Sequence, residues 1–443
     1  MGSRRSRRES SVPATRLGRL LGLGLAAGEL VLGGMAEGVR RLAEGERLGA
    51  PQTLLTGANA RRLAQRLARL RGAAMKVGQL LSLEGEEFLP REAAAALAVL
   101  RAGAEPMPHA QLHRVLGREY GKGWEARFER FDEEPVAAAS IGEVHRARTR
   151  DGREVALKVQ YPGVGRSIDA DVDNVAALLR LLNVLPRGAD IDALAAEAKR
   201  QLRQEADYLA EARFLARYRK LVADEPRLVV PRVHRELTTA RVLAMDYVEG
   251  APLEALGDAP QATRDAVGRL LERLLFRELF EFGVMQTDPN FANYLWDAGA
   301  ERVGLLDFGA TVEFAPEFIE RYRLICRGIV DGDRGAVRRR AIEIGYLAPE
   351  DSAAQADAAV DVIMLVCEPL RHRGRYDFAA SDLPARVRDL GFDLVFRKGL
   401  LRTPPPETMF LHRKLVGAFL LLARIGARVD ARALVQPFLQ PTR

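Results

Sequence analysis

Asp288-Pro289-Asn290-Phe291-Ala292-Asn293 and Leu305-Leu306-Asp307-Phe308-Gly309 are the two stretches that decide the fold. An Asp five residues ahead of an Asn, followed after a spacer by Asp-Phe-Gly, is the order in which kinase folds set out a catalytic loop and a metal-binding loop. Phosphoryl transfer needs one carboxylate beside the attacking oxygen. It also needs a second carboxylate and an amide to hold Mg²⁺ against the phosphates. Asp288, Asp307 and Asn293 are the residue types for those roles. Asp-Phe-Gly alone is an ordinary turn sequence, but its setting argues for more. Arg302 to Leu306 reads as a short buried strand that delivers Asp307 at its end. Asp288 follows a helix-like stretch from Leu270 to Phe282 that Gly283 closes.

Toward the N-terminus, Val155-Ala156-Leu157-Lys158-Val159 reads as a strand with a lysine inside it. A buried ammonium is costly unless it pairs; a lysine snorkelling from a sheet edge is the ordinary alternative. Val144 to Arg150, with the Asp151-Gly152 turn, makes a hairpin with this strand. Ahead of the hairpin lies the loop Pro135 to Glu143, where a kinase covers the phosphates. Glycines in such a loop let backbone N–H groups approach a phosphate closely. Here Ala137, Ala138 and Ala139 stand where glycines are expected, followed by Ser140, Ile141 and Gly142. Their methyl groups crowd the nucleotide, so ATP in this loop would sit differently from ATP in a protein kinase.

With these strings the chain resembles the UbiB family of atypical kinases, in the branch of the mitochondrial ubiquinone-biosynthesis kinase-like ATPases. The resemblance extends through Gln160-Tyr161-Pro162-Gly163-Val164, Gln286-Thr287-Asp288-Pro289-Asn290 and Ala310-Thr311. Lys76-Val77-Gly78-Gln79 matches the family's Lys-x-Gly-Gln element, and Glu205-Ala206-Asp207 its Glu-x-Asp element, with Glu211 four residues further on. One departure stands out. Glu143 follows the loop glycine where the family carries Gln, and a carboxylate there repels phosphate unless it is turned away or paired.

The resemblance implies an α+β, atypical protein-kinase-like, bilobal fold with an N-terminal helical extension packed over the active-site cleft. It implies ATP/ADP and Mg²⁺ as ligands. Lys158 would contact the phosphates and meet Glu211, while Lys76 meets Glu205. Asn293 and Asp307 would hold the metal and Asp288 would orient the acceptor. Leu243 to Gly250 fits the connection between lobes, with backbone groups of Met245, Tyr247 and Val248 toward the adenine. The occluding set Lys76, Gln79, Glu205 and Asp207 would block a protein substrate. An ATPase or small-molecule phosphotransferase supporting ubiquinone biosynthesis at a membrane follows; the alternatives are a protein kinase acting in trans and a nucleotide-gated lipid-binding scaffold.

Helix geometry sharpens one point. Lys76 and Gln79 share a face of a helix from about Ala60 to Leu83. A continuous helix from Ile191 to Lys220 would place Asp207 and Glu211 together but turn Glu205 elsewhere. Either that helix is distorted near Glu205 or only part of the set faces the site.

The chain has 443 residues, two cysteines and a net charge of +7. Length allows two or three domains. Cys326 and Cys367 read as reduced core thiols, and the scattered histidines make no metal cluster. The boundaries read as 1–58, a basic, Gly-rich N-terminus; 59–128, the helical extension; 129–250, the smaller β-rich lobe; and 251–443, the helical lobe. Arg4, Arg5, Arg7 and Arg8 make a solvated tail or a transit peptide, and without interleaved aromatics they do not suit nucleic acid. Leu20 to Met35 carries Glu29 and is short for a transmembrane helix; it suits a helix lying on an anionic membrane surface. The location that follows is peripheral at the inner membrane, facing the cytoplasm in a bacterium, or at the mitochondrial inner membrane in a eukaryote. Ligands and partners expected from the resemblance are the nucleotide, a lipid or quinone precursor, and ubiquinone-biosynthesis enzymes. The oligomeric state stays open, with a homodimer among the arrangements.

Overall fold

A computed structural model describes residues 106–182, 191–288, 290–392 and 405–440. Lys76, Gln79 and the basic N-terminal segment lie outside the described residues. The chain divides into two compact units: one takes the chain through Ala216 together with Arg232–Tyr247, the other Arg217–Pro231 with Val248–Arg443.

In the first unit, helix α1 (His109–Tyr120) precedes strands β1 (Phe128–Phe131), β2 (Ala137–Ala139), β3 (Gly142–Thr149) and β4 (Glu154–Gln160). Helices α2 (Val164–Leu182), α3 (Ile191–Glu205) and α4 (Tyr208–Leu221) follow; α4 runs on into the second unit, which also takes β5 (Leu228–Val229). The chain then returns to the first unit as β6 (Val242–Asp246). The sheet is antiparallel in the order β1-β3-β4-β6, with β2 on β3. Period-2 alternation decides what β4 shows to each side. Val155, Leu157 and Val159 are fully buried in a core with Leu112, Leu116, Trp124 and Phe128. Lys158 therefore points to the opposite face. The β3–β4 hairpin turns at Gly152, whose φ of 84° is open to glycine at no steric cost.

One local expectation changes, and of two alternatives left open for the long helix the distorted one is found. The alanine stretch is not a loop: Ala137, Ala138 and Ala139 pair with Val144, Glu143 and Gly142, leaving Ser140 and Ile141 as the turn. Alanine and an edge position tolerate that extended backbone, whereas a glycine loop would resist it. The long helix is also not continuous. It breaks between Glu205 and Tyr208, where Gln160 Nε2 donates to Ala206 O at 2.7 Å and Asp207 Oδ1 accepts from Ala210 N–H at 2.9 Å as the cap of α4.

In the second unit β7 (Ala251–Pro252) leads to α5 (Gln261–Arg277), whose last turn widens into a π-turn, Glu278–Phe282. Gly283 closes it in the left-handed region, φ 63°. Strands β8 (Val284–Gln286), β9 (Tyr294–Asp297), β10 (Arg302–Leu305) and β11 (Thr311–Glu313) follow. They form a sheet β5-β10-β9-β7 and a separate β8–β11 pair. The rest is mainly helical: α6 (Pro316–Asp331), α7 (Arg334–Ile344), α8 (Ala353–Val366), α9 (Glu368–Arg371), α10 (Leu383–Phe392), α11 (Pro406–Arg424) and α12 (Ala431–Val435). Their core includes Leu275, Phe276, Phe318, Ile325, Ile329, Val360 and Leu411. Among the described residues no helix is long and apolar enough to cross a membrane. Both cysteines are free, and burial pushes their thiols up, that of Cys367 to about 12.

Candidate active site

In the first unit, Lys158 Nζ donates to both oxygens of Glu211, at 2.9 and 3.0 Å, and the two side chains are almost fully buried. The ammonium also lies 5.3 Å from the Tyr208 ring centroid. The break ahead of α4 explains how Glu205 and Glu211 serve the same sheet. On one unbroken helix they would diverge; here Glu205 Oε2 accepts from the Ser140 hydroxyl in the β2–β3 turn while Glu211 takes Lys158. Asp207 is exposed and caps α4. Gly142 has a packing reason of its own. A Cβ there would collide with the Val159 carbonyl and lie 3.1 Å from the Tyr208 hydroxyl.

Glu143 is both turned away and paired. It stands opposite Val159 in the hairpin, hence on the core face, whereas Val144 stands opposite Lys158. Its Oε2 accepts from Met107 N–H at 2.8 Å and its Oε1 lies 3.1 Å from His145 Nε2. His145 Nδ1 is 3.0 Å from Asp132 O. A carbonyl only accepts, so Nδ1 carries a hydrogen; the bond between Nε2 and the carboxyl then requires one more proton, shared by the pair.

Toward the end of this unit, Met245 pairs with Ala156 across β4–β6. Tyr247 N–H is already taken by Glu154 O at 3.0 Å, and the Tyr247 ring stacks under Arg146 at 4.3 Å. Asp246 accepts from Arg232 N–H and holds His234 Nε2 at 2.8 Å, so its carboxylate is engaged within its own unit. Val248 opens the second unit, where its side chain lies against Gly304.

In the second unit, Asn290 caps a single turn, Phe291–Asn293, through Ala292 N–H. That turn brings Asn293 Nδ2 to 3.1 Å from Asp288 Oδ2. Leu306 N–H donates to Asn293 O at 3.0 Å, which joins the Asp288 loop to the one bearing Asp307. Thr287 makes a second joint, its N–H and hydroxyl both donating to Ala310 O at 3.0 and 2.7 Å. Asp307 Oδ1 accepts from Gly309 N–H at 2.9 Å. Phe308 is buried, 4.5 Å from the Tyr218 ring. A small cavity beside these loops is lined by Gln286, Asn293, Tyr294, Asp307, Phe308 and Lys414.

The donor set fits a hard divalent cation. Asn293 and Asp307 offer amide and carboxylate oxygens, which suit Mg²⁺, an ion that takes one or two protein oxygens and completes its shell with phosphates and water. Among the described residues no cluster of three or more His, Cys, Asp or Glu side chains could hold a metal by itself.

Reading the sequence missed Glu278, Arg413 and Lys414. Lys414 Nζ is 3.1 Å from Glu278 Oε2, and both side chains are nearly fully buried. Burial pushes the Glu278 carboxyl up, with the Lys414 ammonium pulling against it. One signal was available: Lys414 falls between Leu411 and Ala418 on the inward stripe of α11, where a lysine is out of pattern. Leu415, the next residue on α11, is exposed.

An antiparallel sheet with a buried Lys–Glu pair, and a helical unit carrying Asp288, Asn293 and Asp307 on joined loops, define the kinase-like class of α+β folds. Within that class the chain belongs to the ABC1 atypical kinase-like family, whose domain matches residues 99–341. It is 41% identical to the rat protein named atypical kinase COQ8B, mitochondrial, over 97% of this chain and 81% of that one. It is 37% identical to the Saccharomyces cerevisiae atypical kinase COQ8, mitochondrial, over 96% and 85%. Among solved structures, the Rv3197–erythromycin complex from Mycobacterium tuberculosis matches with a TM-score of 0.61 and 27% identity, covering 86% of this chain and 97% of that one.

Proposed function

We propose that this atypical kinase is a Mg²⁺-dependent ATPase that moves the γ-phosphoryl group to water or to a small hydroxyl-bearing molecule in support of ubiquinone biosynthesis. The observation that carries the reading is the joined pair of loops that presents Asp288, Asn293 and Asp307 together. Asp288 orients the acceptor oxygen and takes its proton as the bond to phosphorus forms and the β–γ bridge breaks. Asn293 and Asp307 hold Mg²⁺, which, when bound, neutralises charge building on the phosphates. Lys158 contacts the α- and β-phosphates, and Glu211 keeps its ammonium aimed. Ser140 in the tight β2–β3 turn, tied to Glu205, limits how the nucleotide enters, with Lys76 and Gln79 completing the occluding set. Burial of the Lys158–Glu211 pair supports this, since such a pair is a costly way to gain stability alone.

Work at an inner membrane, bacterial or mitochondrial, is the reading that the relatives named mitochondrial and the Arg-rich N-terminus support. A lipid or quinone precursor and the enzymes of that pathway are the partners we assign. The test measures Mg²⁺-dependent ADP and ATP binding, then phosphate release, with and without anionic liposomes. Wild type should bind both nucleotides and release phosphate. Asp307→Asn should lose Mg²⁺-dependent affinity, and Asp288→Asn should bind but turn over at least about a hundredfold more slowly. Absence of Mg²⁺–nucleotide binding in the wild type overturns the reading.

A further inference from the structure

We infer that Arg413 and Lys414, adjacent on α11, are positioning residues for phosphoryl transfer: they clamp the backbone that delivers Asp288. The inference rests on the catalytic role proposed for Asp288. It draws on a helix that lies beyond residue 341, where the match to the family domain ends.

The clamp has two arms. Arg413 Nε donates to Thr287 O at 2.8 Å and its Nη2 to Thr287 Oγ1 at 2.9 Å. Thr287 is the residue before Asp288, and it also joins that loop to Ala310. Lys414 works one residue earlier. Its Nζ lies 3.4 Å from Gln286 Oε1 and pairs with Glu278. Glu278 Oε1 in turn accepts from Gln286 N–H at 3.2 Å and from the Tyr218 hydroxyl at 2.9 Å. Gln286 is thus gripped at backbone and side chain, and its Nε2 passes the constraint on by donating to Asp288 O at 2.9 Å. Gln286 and Thr287 are bonded directly by α11 or by its partner Glu278, and Asp288 is held one step on, through Gln286.

Chemistry explains why a buried ion pair stands here. Apolar side chains of similar volume hold two helices together at least as well. They cannot present a charged acceptor to one N–H, one hydroxyl and one ammonium at once. Glu278 does so from the first residue of the π-turn, and π-turns recur at functional sites. A misplacement of about 1 Å in a reacting carboxylate lowers a rate by about a hundredfold. A rigid mount for Asp288 is therefore a kinetic feature before it is a stabilising one.

The test compares full-length wild type, Arg413→Gln, Lys414→Met and Lys414→Arg, with Asp288→Asn as the reference. It measures kcat and KM for Mg–ATP, ADP affinity and melting temperature. Arg413→Gln is the primary variant because its side chain is partly exposed and the Thr287–Ala310 bonds do not depend on it. We expect kcat to fall about ten- to a hundredfold, with KM and ADP affinity changed less than about threefold. Lys414→Arg should recover more activity than Lys414→Met. A folded Arg413→Gln with wild-type kcat, in a protein where Asp288→Asn is inactive, overturns the positioning role and leaves the ATPase reading intact. So does a loss in which kcat and ADP affinity fall together. If Asp288→Asn turns over ATP like the wild type, the functional reading fails and this inference fails with it. If Lys414→Met does not fold, Arg413→Gln decides alone.

Discussion

Lys158–Glu211 in the first unit and Lys414–Glu278 in the second are both buried lysine–glutamate pairs, closing to 2.9 and 3.1 Å with every side chain at most 8% exposed. They differ in how the contacts of the two carboxylate oxygens are shared out among the described residues. Both Glu211 oxygens face the Lys158 ammonium. The Glu278 oxygens are divided among an ammonium, a backbone N–H and a tyrosine hydroxyl. An ammonium that meets both oxygens of a carboxylate can exchange part of that contact for a phosphate oxygen. A carboxylate that also fixes the backbone cannot let go without moving the loop. The first pair has the form of a ligand contact and the second that of a mount.

Breaking the pairs gives the largest effects. Lys158→Met and Lys414→Met each strand a buried carboxylate, which costs about 3–5 kcal/mol. Replacing both partners should separate the two. Lys414→Met with Glu278→Leu should recover only part of that stability in urea unfolding, because it leaves the Gln286 N–H without its acceptor, whereas Lys158→Met with Glu211→Leu should recover most of it. Only the second double variant should also lose nucleotide affinity; the first should bind nucleotide and turn over slowly. Equal loss of affinity in both would erase the distinction between contact and mount.

The same contrast shows what the sequence could reveal. Lys158 was legible because a lysine inside the apolar run Val-Ala-Leu-Lys-Val is costly unless it pairs, and the turn at Gly152 fixes the hairpin locally. Asp288, Asn293 and Asp307 were legible because their spacing is short-range. Glu278 and Lys414 are more than a hundred residues apart, and although Lys414 is out of pattern on its helix, only packing shows that Glu278 is its partner. The break at Ala206 was posed by the mismatch between Glu205 and Glu211, but its cause, a bond from Gln160 on β4, is tertiary. Strand β2 was hidden because three alanines carry little strand preference and form only against β3.

Glu272 sharpens the comparison as a buried carboxyl with no mate among the described residues. It is 7% exposed on α5, beside a cavity lined by Leu271, Leu274, Leu275, Leu421 and Leu422, and no described residue pairs with it. Burial pushes its carboxyl from the ordinary value of 4.5 up to about 7. Between those values the folded state holds a proton that the unfolded chain has lost. Its contribution is therefore most favourable below pH 4.5 and declines as pH rises through 7. Glu272→Gln keeps the site neutral at every pH. It should stabilise the protein by up to about 3 kcal/mol at pH 8 and by less than about 1 kcal/mol at pH 5, read from urea unfolding at both. An equal gain at the two pH values would mean that an unpaired acid is not what separates this site from the Glu278 pair.

The smallest effect belongs to Glu143, two residues from His145 and on the sheet face opposite Lys158. Glutamine there can still accept from Met107 N–H, and its amide can donate to the neutral His145 Nε2, so the shared proton is no longer needed. Glu143→Gln should change unfolding free energy by less than about 1 kcal/mol and leave ADP affinity within about twofold. Glu143→Leu orphans the Met107 N–H and the imidazole together and should cost about 1–3 kcal/mol, again with affinity retained. A marked rise in ADP affinity for Glu143→Gln would show that the carboxylate acts on the nucleotide after all. Position 143 would then belong with Lys158 as a ligand contact, despite facing the core.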